Sequence, residues 1–183
     1  MKKKIIFIGG IHGVGKTWLC QNLERTMDLK HYSASQLIIN FKDEKSHGAN
    51  KSVKNIVGNQ DALLNAIEKY IKPEVLTVID GHFCLLNSKH EVEQIPIETF
   101  IGIAPIAIIV LCDTIENISQ KISGRDGIVY DYDFLTYFQD KEIKYSKYIA
   151  ENLRVPYLTF NVSEDIGDIS DFIDMLQIVK DEK

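Results

Sequence analysis

Arginine is scarce in this chain. The 183 residues contain 21 lysines and arginines, and only Arg25, Arg125 and Arg154 are arginine. Enzymes that hold several phosphate groups usually recruit guanidinium groups, which contact an oxyanion through two parallel N–H bonds. The scarcity therefore weighs against a site that clamps several phosphates with arginine side chains.

Cysteine is also rare, and long apolar runs are missing. Cys20, Cys84 and Cys112 are scattered, and they form no metal-ligand spacing, so we interpret them as reduced thiols and expect a cytoplasmic protein. No apolar run approaches the roughly 20 residues that a membrane span needs. The basic start, Met1–Ile5, is followed by too short an apolar run for a signal peptide.

Positive net charge is lacking as well. The formal net charge is −5 at pH 7, which makes nucleic acid an unlikely bulk partner. At 45% hydrophobic and 26% charged residues the composition is that of an ordinary globular protein, and the length suits one domain over residues 1–183.

The most specific pattern is at residues 10–17, which read G-I-H-G-V-G-K-T. This is the phosphate-binding P-loop, G-x-x-x-x-G-K-[ST], in which glycines let successive N–H groups point into one anion-binding concavity. The pattern predicts that ATP lies against Gly10, His12, Gly13, Val14, Gly15, Lys16 and Thr17. Lys16 would reach the β- and γ-phosphates as a catalytic cation, and the Thr17 hydroxyl would bind Mg²⁺.

The hydrophobic pattern predicts an α/β fold. Strand-like runs fall at 4–9, 75–80, 106–112 and 156–161, with a weaker one at 30–33. Helical patterns separate them at 16–27, 35–42, 53–71, 114–123, 133–152 and 166–180. This alternation predicts a parallel sheet with helices on both faces.

An acid follows each of two apolar runs. Asp80 ends the run 75–80, which matches the pattern by which a strand delivers a carboxylate beside Mg²⁺. Asp113 is the rival, but Asp113-Thr114-Ile115-Glu116 fits a helix cap with an acid three residues later. We therefore predict Asp80 as the metal-side and catalytic carboxylate and Asp113 as a cap. His82 follows at the sheet edge where ligands of such folds bind, so it is a candidate for contact with phosphate, water or the acceptor.

The P-loop, Asp80-Gly81-His82 and the stretch Ile118–Arg125 resemble the adenylate-kinase-type P-loop kinases, in particular the archaeal-type adenylate kinases and their relatives with a D-x-H segment. The resemblance runs from about residue 4 to 161. It implies a three-layer P-loop NTPase fold with a five-stranded parallel sheet of order 2-3-1-4-5. It also implies an acceptor-binding excursion at about 35–72, a lid at about 124–133, and an adenine beside Asn161.

Several residues depart from that family. Trp18 stands where family members often place a hydroxyl that touches the α-phosphate, and we expect it to pack on the buried or cleft side of the first helix. The predicted lid holds only Arg125 as an arginine, in a turn between Gly124 and Gly127, with Lys121 one helical turn earlier. Gln60 could meet an acceptor, but a surface position is the preferred interpretation.

These features favour an ATP- and Mg²⁺-dependent kinase that acts on a small acceptor, a nucleotide or nucleoside being preferred. In this hypothesis Arg125 is the catalytic lid cation. The acidic lid and the few arginines keep an alternative open, namely an ATPase or nucleotide-gated regulatory protein without a small acceptor. A GTPase lacks support, because N-K-x-D and D-x-x-G segments are missing. The sequence names neither the acceptor nor the oligomeric state.

Overall fold

The computed structural model describes residues 2–45, 56–164 and 166–181. Its strands are β1 (Lys4–Gly9), β2 (Lys30–Ser33), β3 (Leu76–Asp80), β4 (Cys84–Leu86), β5 (Val92–Gln94), β6 (Ala107–Cys112) and β7 (Tyr157–Asn161). Its helices are α1 (Lys16–Thr26), α2 (Ala34–Lys45), α3 (Ile56–Tyr70), α4 (Ile97–Ile103), α5 (Ile115–Asp126), α6 (Tyr132–Leu153) and α7 (Ile166–Asp181).

Five parallel strands form the central sheet in the order β2-β3-β1-β6-β7. Counted along the chain without the small β4–β5 pair, this is the predicted order 2-3-1-4-5. Strands β1, β3 and β6 are almost entirely buried, which accounts for their nearly continuous apolar sequences, since both faces of the sheet are covered by helices. The predicted three-layer α/β fold is confirmed.

A small β-hairpin and a short helix between β3 and β6 were not predicted. Strands β4 and β5 pair antiparallel, and the seven-residue helix α4 follows Pro96. Both are too short for a hydrophobic period to distinguish them from a loop. They matter for the site, because they follow directly after Asp80.

Three phenylalanines fix the carboxyl edge of the sheet. The rings of Phe7, Phe83 and Phe100 lie 5.2 to 5.3 Å apart, centroid to centroid. A Cβ atom on Gly9 would lie 2.1 Å from the Phe83 ring, and one on Gly81 would lie 2.7 Å from Phe7. Glycine at these two positions therefore lets the strand ends approach the aromatic cluster closely.

The predicted lid begins later than expected. Helix α5 continues through Gly124 and Arg125 to Asp126, and Gly127 closes it with a left-handed φ of 67°. Arg125 thus lies in the last helical turn, and the predicted turn between Gly124 and Gly127 is wrong. The predicted excursion at 35–72 contains α2 and α3, and residues 46–55 within it lie outside the described structure.

No helix in the described part of the chain is long and apolar enough to cross a bilayer.

Candidate active site

The P-loop joins β1 to α1 as the motif requires. Gly10, Gly13 and Gly15 adopt positive φ angles of 147°, 83° and 109°, which residues with a Cβ rarely adopt. The side chain of Val14 is fully buried, so this residue offers only its backbone to a ligand. These positive φ angles lie directly before the helix N-terminus, in the loop conformation on which the predicted anion-binding concavity depends.

Lys16 is more enclosed than the sequence suggested. Only 8% of the residue is exposed, and its Nζ atom donates to the carbonyl oxygens of Gly10 at 2.6 Å and Ile11 at 3.2 Å. Burial lowers the pKa of Lys16 to about 8, against the opposing effect of the Glu142 and Asp80 charges. The ammonium group therefore contacts neutral carbonyl oxygens. Anionic phosphate oxygens of a bound nucleotide would stabilise its charge more strongly.

Asp80 ends β3 beside the P-loop, as predicted. It is 5% exposed, and its Oδ2 atom lies 2.6 Å from His31 Nε2. His31 is brought there because β2 pairs in parallel with β3, so that Ser33 lies opposite Asp80. The sequence analysis missed His31, and its only signal was a position in the weak strand next to the predicted one.

The oxygen donors of Thr17 and Asp80 suit Mg²⁺, which prefers hard oxygen ligands. Thr17 is exposed at the start of α1, and Asp80 lies at the adjacent strand end. One atom each of Cys20, His31 and Asp80 also lies within 4.8 Å of the others, a sulfur, nitrogen and oxygen set of the kind that binds zinc. The close bond between His31 and Asp80 already accounts for two members of that set.

A buried glutamate ties the P-loop to the segment after β3. Glu142, in the middle of α6, is fully buried and accepts hydrogen bonds from Gly10 N at 3.0 Å, Phe83 N at 2.9 Å and Cys84 N at 2.6 Å. Burial raises the pKa of Glu142, and the three N–H donors oppose that shift. The signal for it in the sequence was an acid on the buried face of α6 between Phe138 and Tyr145, which we did not recognise.

His82 lies at the centre of the site, with a quarter of its side chain exposed. Its Nδ1 atom is 3.9 Å from Glu142 Oε1, beyond hydrogen-bond distance. Burial and the nearby Lys16 charge lower the pKa of His82 well below its usual value. The imidazole is therefore neutral at pH 7 and offers a hydrogen bond rather than a positive charge.

Lys121 reaches the P-loop from α5. Its Nζ atom lies 2.7 Å from Asp113 Oδ2 and 4.0 Å from the place that a Cβ atom on Gly15 would take. Asp113 Oδ1 also accepts from Thr114 N and from Asn117 Nδ2. The carboxylate of Asp113 thus holds Lys121 beside the P-loop.

The prediction that Asp113 caps α5 is wrong. The cap is Thr114, whose hydroxyl accepts a hydrogen bond from Asn117 N at 3.3 Å. The helix begins one residue later than the capping pattern required, and this frees the Asp113 side chain to face Lys121.

Arg125 contacts the P-loop through His12. Its guanidinium group makes two bonds to Asp126, at 2.8 and 2.7 Å, and it also contacts His12 Nε2. His12 Nε2 lies 3.3 Å from Asp126 Oδ2. Arg125, the predicted lid cation, therefore lies at the edge of the P-loop, where it is already paired with Asp126.

Trp18 and Asn161 lie at the edge of the site. Trp18 is 61% exposed, so the prediction that it packs on the buried or cleft side of α1 is wrong. Asn161 ends β7, and its Oδ1 atom accepts from the Ser163 N and Oγ atoms, which shapes the loop after the last strand.

A cavity of about 250 Å³ opens next to Asp80 and His82. Its walls come from β1, β3, α2, α3 and α4, and many of them are apolar: Phe7, Ile38, Leu63, Leu85, Ile95, Phe100 and Ile103. Gln60 lines it too, with an amide nitrogen that is buried and has no hydrogen-bond partner. The preferred interpretation of Gln60 as a surface residue is therefore wrong.

A family comparison decides what kind of domain this is. A family model described as "AAA domain" matches residues 9–133, from the P-loop through the turn after α5. This chain belongs to the AAA domain family. Among curated proteins, none matches its sequence.

Solved structures show the same fold as this AAA domain. A gluconokinase from Sinorhizobium meliloti 1021 has a TM-score of 0.56 at 12% identity, covering 100% of this chain and 98% of its own. A putative kinase from Chloroflexus aurantiacus J-10-fl has a TM-score of 0.57 at 14% identity, with 96% and 98% covered. A sugar kinase from Janibacter sp. HTCC2649 has a TM-score of 0.55 at 11% identity, with 96% and 94% covered. At these identities the likeness establishes the fold alone.

Proposed function

We propose that this AAA domain protein is a small-molecule kinase, which transfers the γ-phosphoryl group of ATP to a small acceptor. The first candidates are a nucleoside, which would accept it on a hydroxyl group, and a nucleotide, which would accept it on a phosphate oxygen. The observation that carries the proposal is the cavity beside Asp80. An ATPase needs only water as acceptor, whereas this partly open, largely apolar space lies beside Asp80 and suits an organic molecule. The kinases of similar fold support the same conclusion.

In this proposal the residues of the site have separate roles in binding the phosphates, the metal ion and the acceptor. The P-loop backbone and Lys16 hold the phosphates, and Lys121 and Arg125 stand where they can meet charge on the phosphoryl group. Thr17 and Asp80 would hold Mg²⁺, which neutralises phosphate charge when bound. Asp80 and the neutral His82 line the acceptor cavity and can orient the hydroxyl that attacks. Positioning and electrostatics of this kind supply most of the rate in phosphoryl transfer.

Two segments complete the arrangement. The α2–α3 excursion forms one wall of the acceptor cavity, since Ile38, Gln60 and Leu63 line it. The segment between α5 and α6 acts as the lid, with Arg125 in the helical turn before it, and its closure would exclude water and suppress hydrolysis. Adenine would lie near Asn161, at the loop after β7.

The alternative is an ATPase without a small acceptor. The observation that favours it is the pairing of Arg125 with Asp126 and His12, which neutralises the cation that a kinase lid would use. In this case the cavity would remain unused in catalysis.

Measuring ADP and free phosphate separately distinguishes the two. The protein is incubated with ATP and Mg²⁺, alone and with each of a set of nucleosides, nucleoside monophosphates and sugars. A kinase forms ADP in excess of phosphate, and only when one acceptor class is present. Equal amounts of ADP and phosphate, unchanged by any acceptor, would support the ATPase instead.

A further inference from the structure

The cavity beside Asp80 has a distinctive charge balance. Among the described residues that line it there is no lysine or arginine, and the only carboxylate is Asp80. Two ammonium groups come near without lining it. Lys16 is bound to the carbonyls of the P-loop, and Lys42 donates to Asn59 Oδ1. A phosphate or carboxylate placed in this space would face Asp80 with no cation from the lining residues.

The same cavity holds polar atoms that lack partners. Gln60 Nε2 and Thr99 Oγ1 are buried without a hydrogen bond, although both residues line the space. Burying such atoms unpaired costs free energy, and native proteins rarely do so without a reason. A ligand that accepts a hydrogen bond from the Gln60 amide and pairs with the Thr99 hydroxyl would remove that cost.

The walls around these two atoms are apolar and partly aromatic. Phe7, Leu63, Phe100 and Ile103 are among the apolar residues that line it. At about 250 Å³ the space lies just below the roughly 300 to 1,000 Å³ of typical ligand pockets, so the occupant is small. These surfaces suit a flat or apolar body better than a fully hydroxylated one.

We infer that the acceptor is an uncharged hydroxyl compound with a partly apolar, hydrogen-bond-accepting body, of which a nucleoside is the type, and not a phosphate ester or a carboxylate. Rings with carbonyl oxygens or ring nitrogens supply the atoms that Gln60 needs. The inference rests on the proposed kinase function. It narrows the candidate acceptors from nucleosides and nucleotides to nucleosides, which carry no phosphate charge.

The test compares charged and uncharged partners of the same body. With ATP and Mg²⁺, kcat/KM is measured for each nucleoside, for its 5′-monophosphate, for glucose and for gluconate. We expect at least one nucleoside to exceed its monophosphate and gluconate by about tenfold or more, the size of a discriminating polar contact. A preference for a monophosphate or for gluconate would overturn the inference while leaving the kinase function intact.

Calorimetry without ATP separates this result from a failure of the kinase proposal. If ATP turnover is independent of every acceptor, the kinase function fails, but a nucleoside that binds more tightly than its monophosphate still supports an uncharged ligand. If no uncharged compound of the set binds or is phosphorylated, the inference is wrong.

Two variants test whether the unpaired polar atoms of Gln60 and Thr99 bind the acceptor. Thr99→Val removes a hydroxyl that has no partner, so the melting temperature should stay equal or rise, while kcat/KM for the acceptor falls by about tenfold. Gln60→Ala should lower the same quantity similarly. Asn65→Ala, an exposed position on the same helix α3, is the matched control and should change neither. Unchanged acceptor kcat/KM in both cavity variants would contradict the assignment.

Discussion

The ammonium group of Lys16 is buried among backbone carbonyls in the free protein. Burial lowers the pKa of Lys16 to about 8, so the group loses its proton within an accessible pH range. The carbonyl dipoles around it stabilise the positive charge less well than anionic phosphate oxygens would. The charge of this residue therefore depends on what occupies the P-loop.

This dependence predicts proton uptake when ATP binds. At pH 9 most Lys16 is neutral in the free protein, whereas triphosphate oxygens raise its pKa, so binding should take up nearly one proton. The uptake is measured by calorimetry in two buffers of different ionisation enthalpy. At pH 7, where Lys16 is already protonated, uptake by this group should be close to zero.

Lys16→Met supplies the comparison, because it keeps the side-chain length and removes the titrating group. Its ATP binding should be weaker and should take up no extra proton at pH 9. Equal uptake at pH 9 by the variant and the wild type would show that another group titrates.

Asp80 gives a second prediction at the residue scale. Asp80→Asn keeps the size of the side chain and an oxygen that His31 can contact, but removes the charge that would face Mg²⁺ and the acceptor in the proposed kinase. We expect kcat to fall by about tenfold or more, with a much smaller change in the melting temperature. Steady-state kinetics and thermal melts measure both. Asp61→Asn, exposed on α3, is the control; if both variants keep wild-type kcat, the carboxylate has been misassigned.

At the scale of elements, the end of α5 brings a cation to the P-loop. Arg125 lies in the last helical turn and reaches His12 across the loop, so the helix positions it without a hinge. Its pairing with Asp126 must loosen if it is to meet a phosphoryl group.

We expect Arg125→Ala and Arg125→Lys each to lower kcat by about tenfold or more, while ATP affinity changes much less. The lysine variant should not rescue, because it lacks the planar fork that bonds two partners at once. Turnover and ATP binding are measured separately for each variant, with Arg25→Ala on the exposed side of α1 as control. A kcat within about twofold of wild type for Arg125→Ala would favour the ATPase alternative.

Helix α6 contributes through Glu142. One carboxylate satisfies three backbone N–H groups, from the P-loop and from the segment after β3, and so holds the two halves of the site together. Glutamine in its place offers a single acceptor oxygen, and its amide group would face one of those donors.

Glu142→Gln should therefore lower the free energy of unfolding by about 2 to 3 kcal/mol, the cost of leaving buried donors unpaired. For a chain of this length that corresponds to a fall of roughly 4 to 12 °C in melting temperature. Chemical denaturation and thermal melts measure the change. Glu151→Gln, exposed on the same helix, should leave stability unchanged, and an equal effect of both variants would show that the helix rather than the bonded carboxylate is responsible.

At the scale of the whole molecule, the sheet order assembles the site. Strand β1 lies between β3 and β6, so the P-loop after β1 has Asp80 on one side and Asp113 with Lys121 on the other. Strand β4 and helix α4 then line the cavity beside Asp80, since both follow Asp80 closely along the chain.

The sequence by itself determined what local spacing encodes. The P-loop glycines, the five strands of the sheet and the position of Asp80 at a strand end each follow from patterns within a few residues, and the structure has them where they were predicted. The Asp113 cap was wrong by one residue and the start of the lid by about three, since competing local hydrogen bonds decide where a helix begins and ends.

Only the tertiary structure decided which distant residues meet. His31 lies 49 positions from Asp80, and Glu142 lies 132 positions from Gly10, so neither contact follows from any local period. The unpaired atoms of Gln60 and Thr99 share one cavity because α3 and α4 pack against each other. Strand order and helix packing create these contacts. For that reason the polar and apolar residues that line the cavity beside Asp80 could be identified from the fold and not from the sequence.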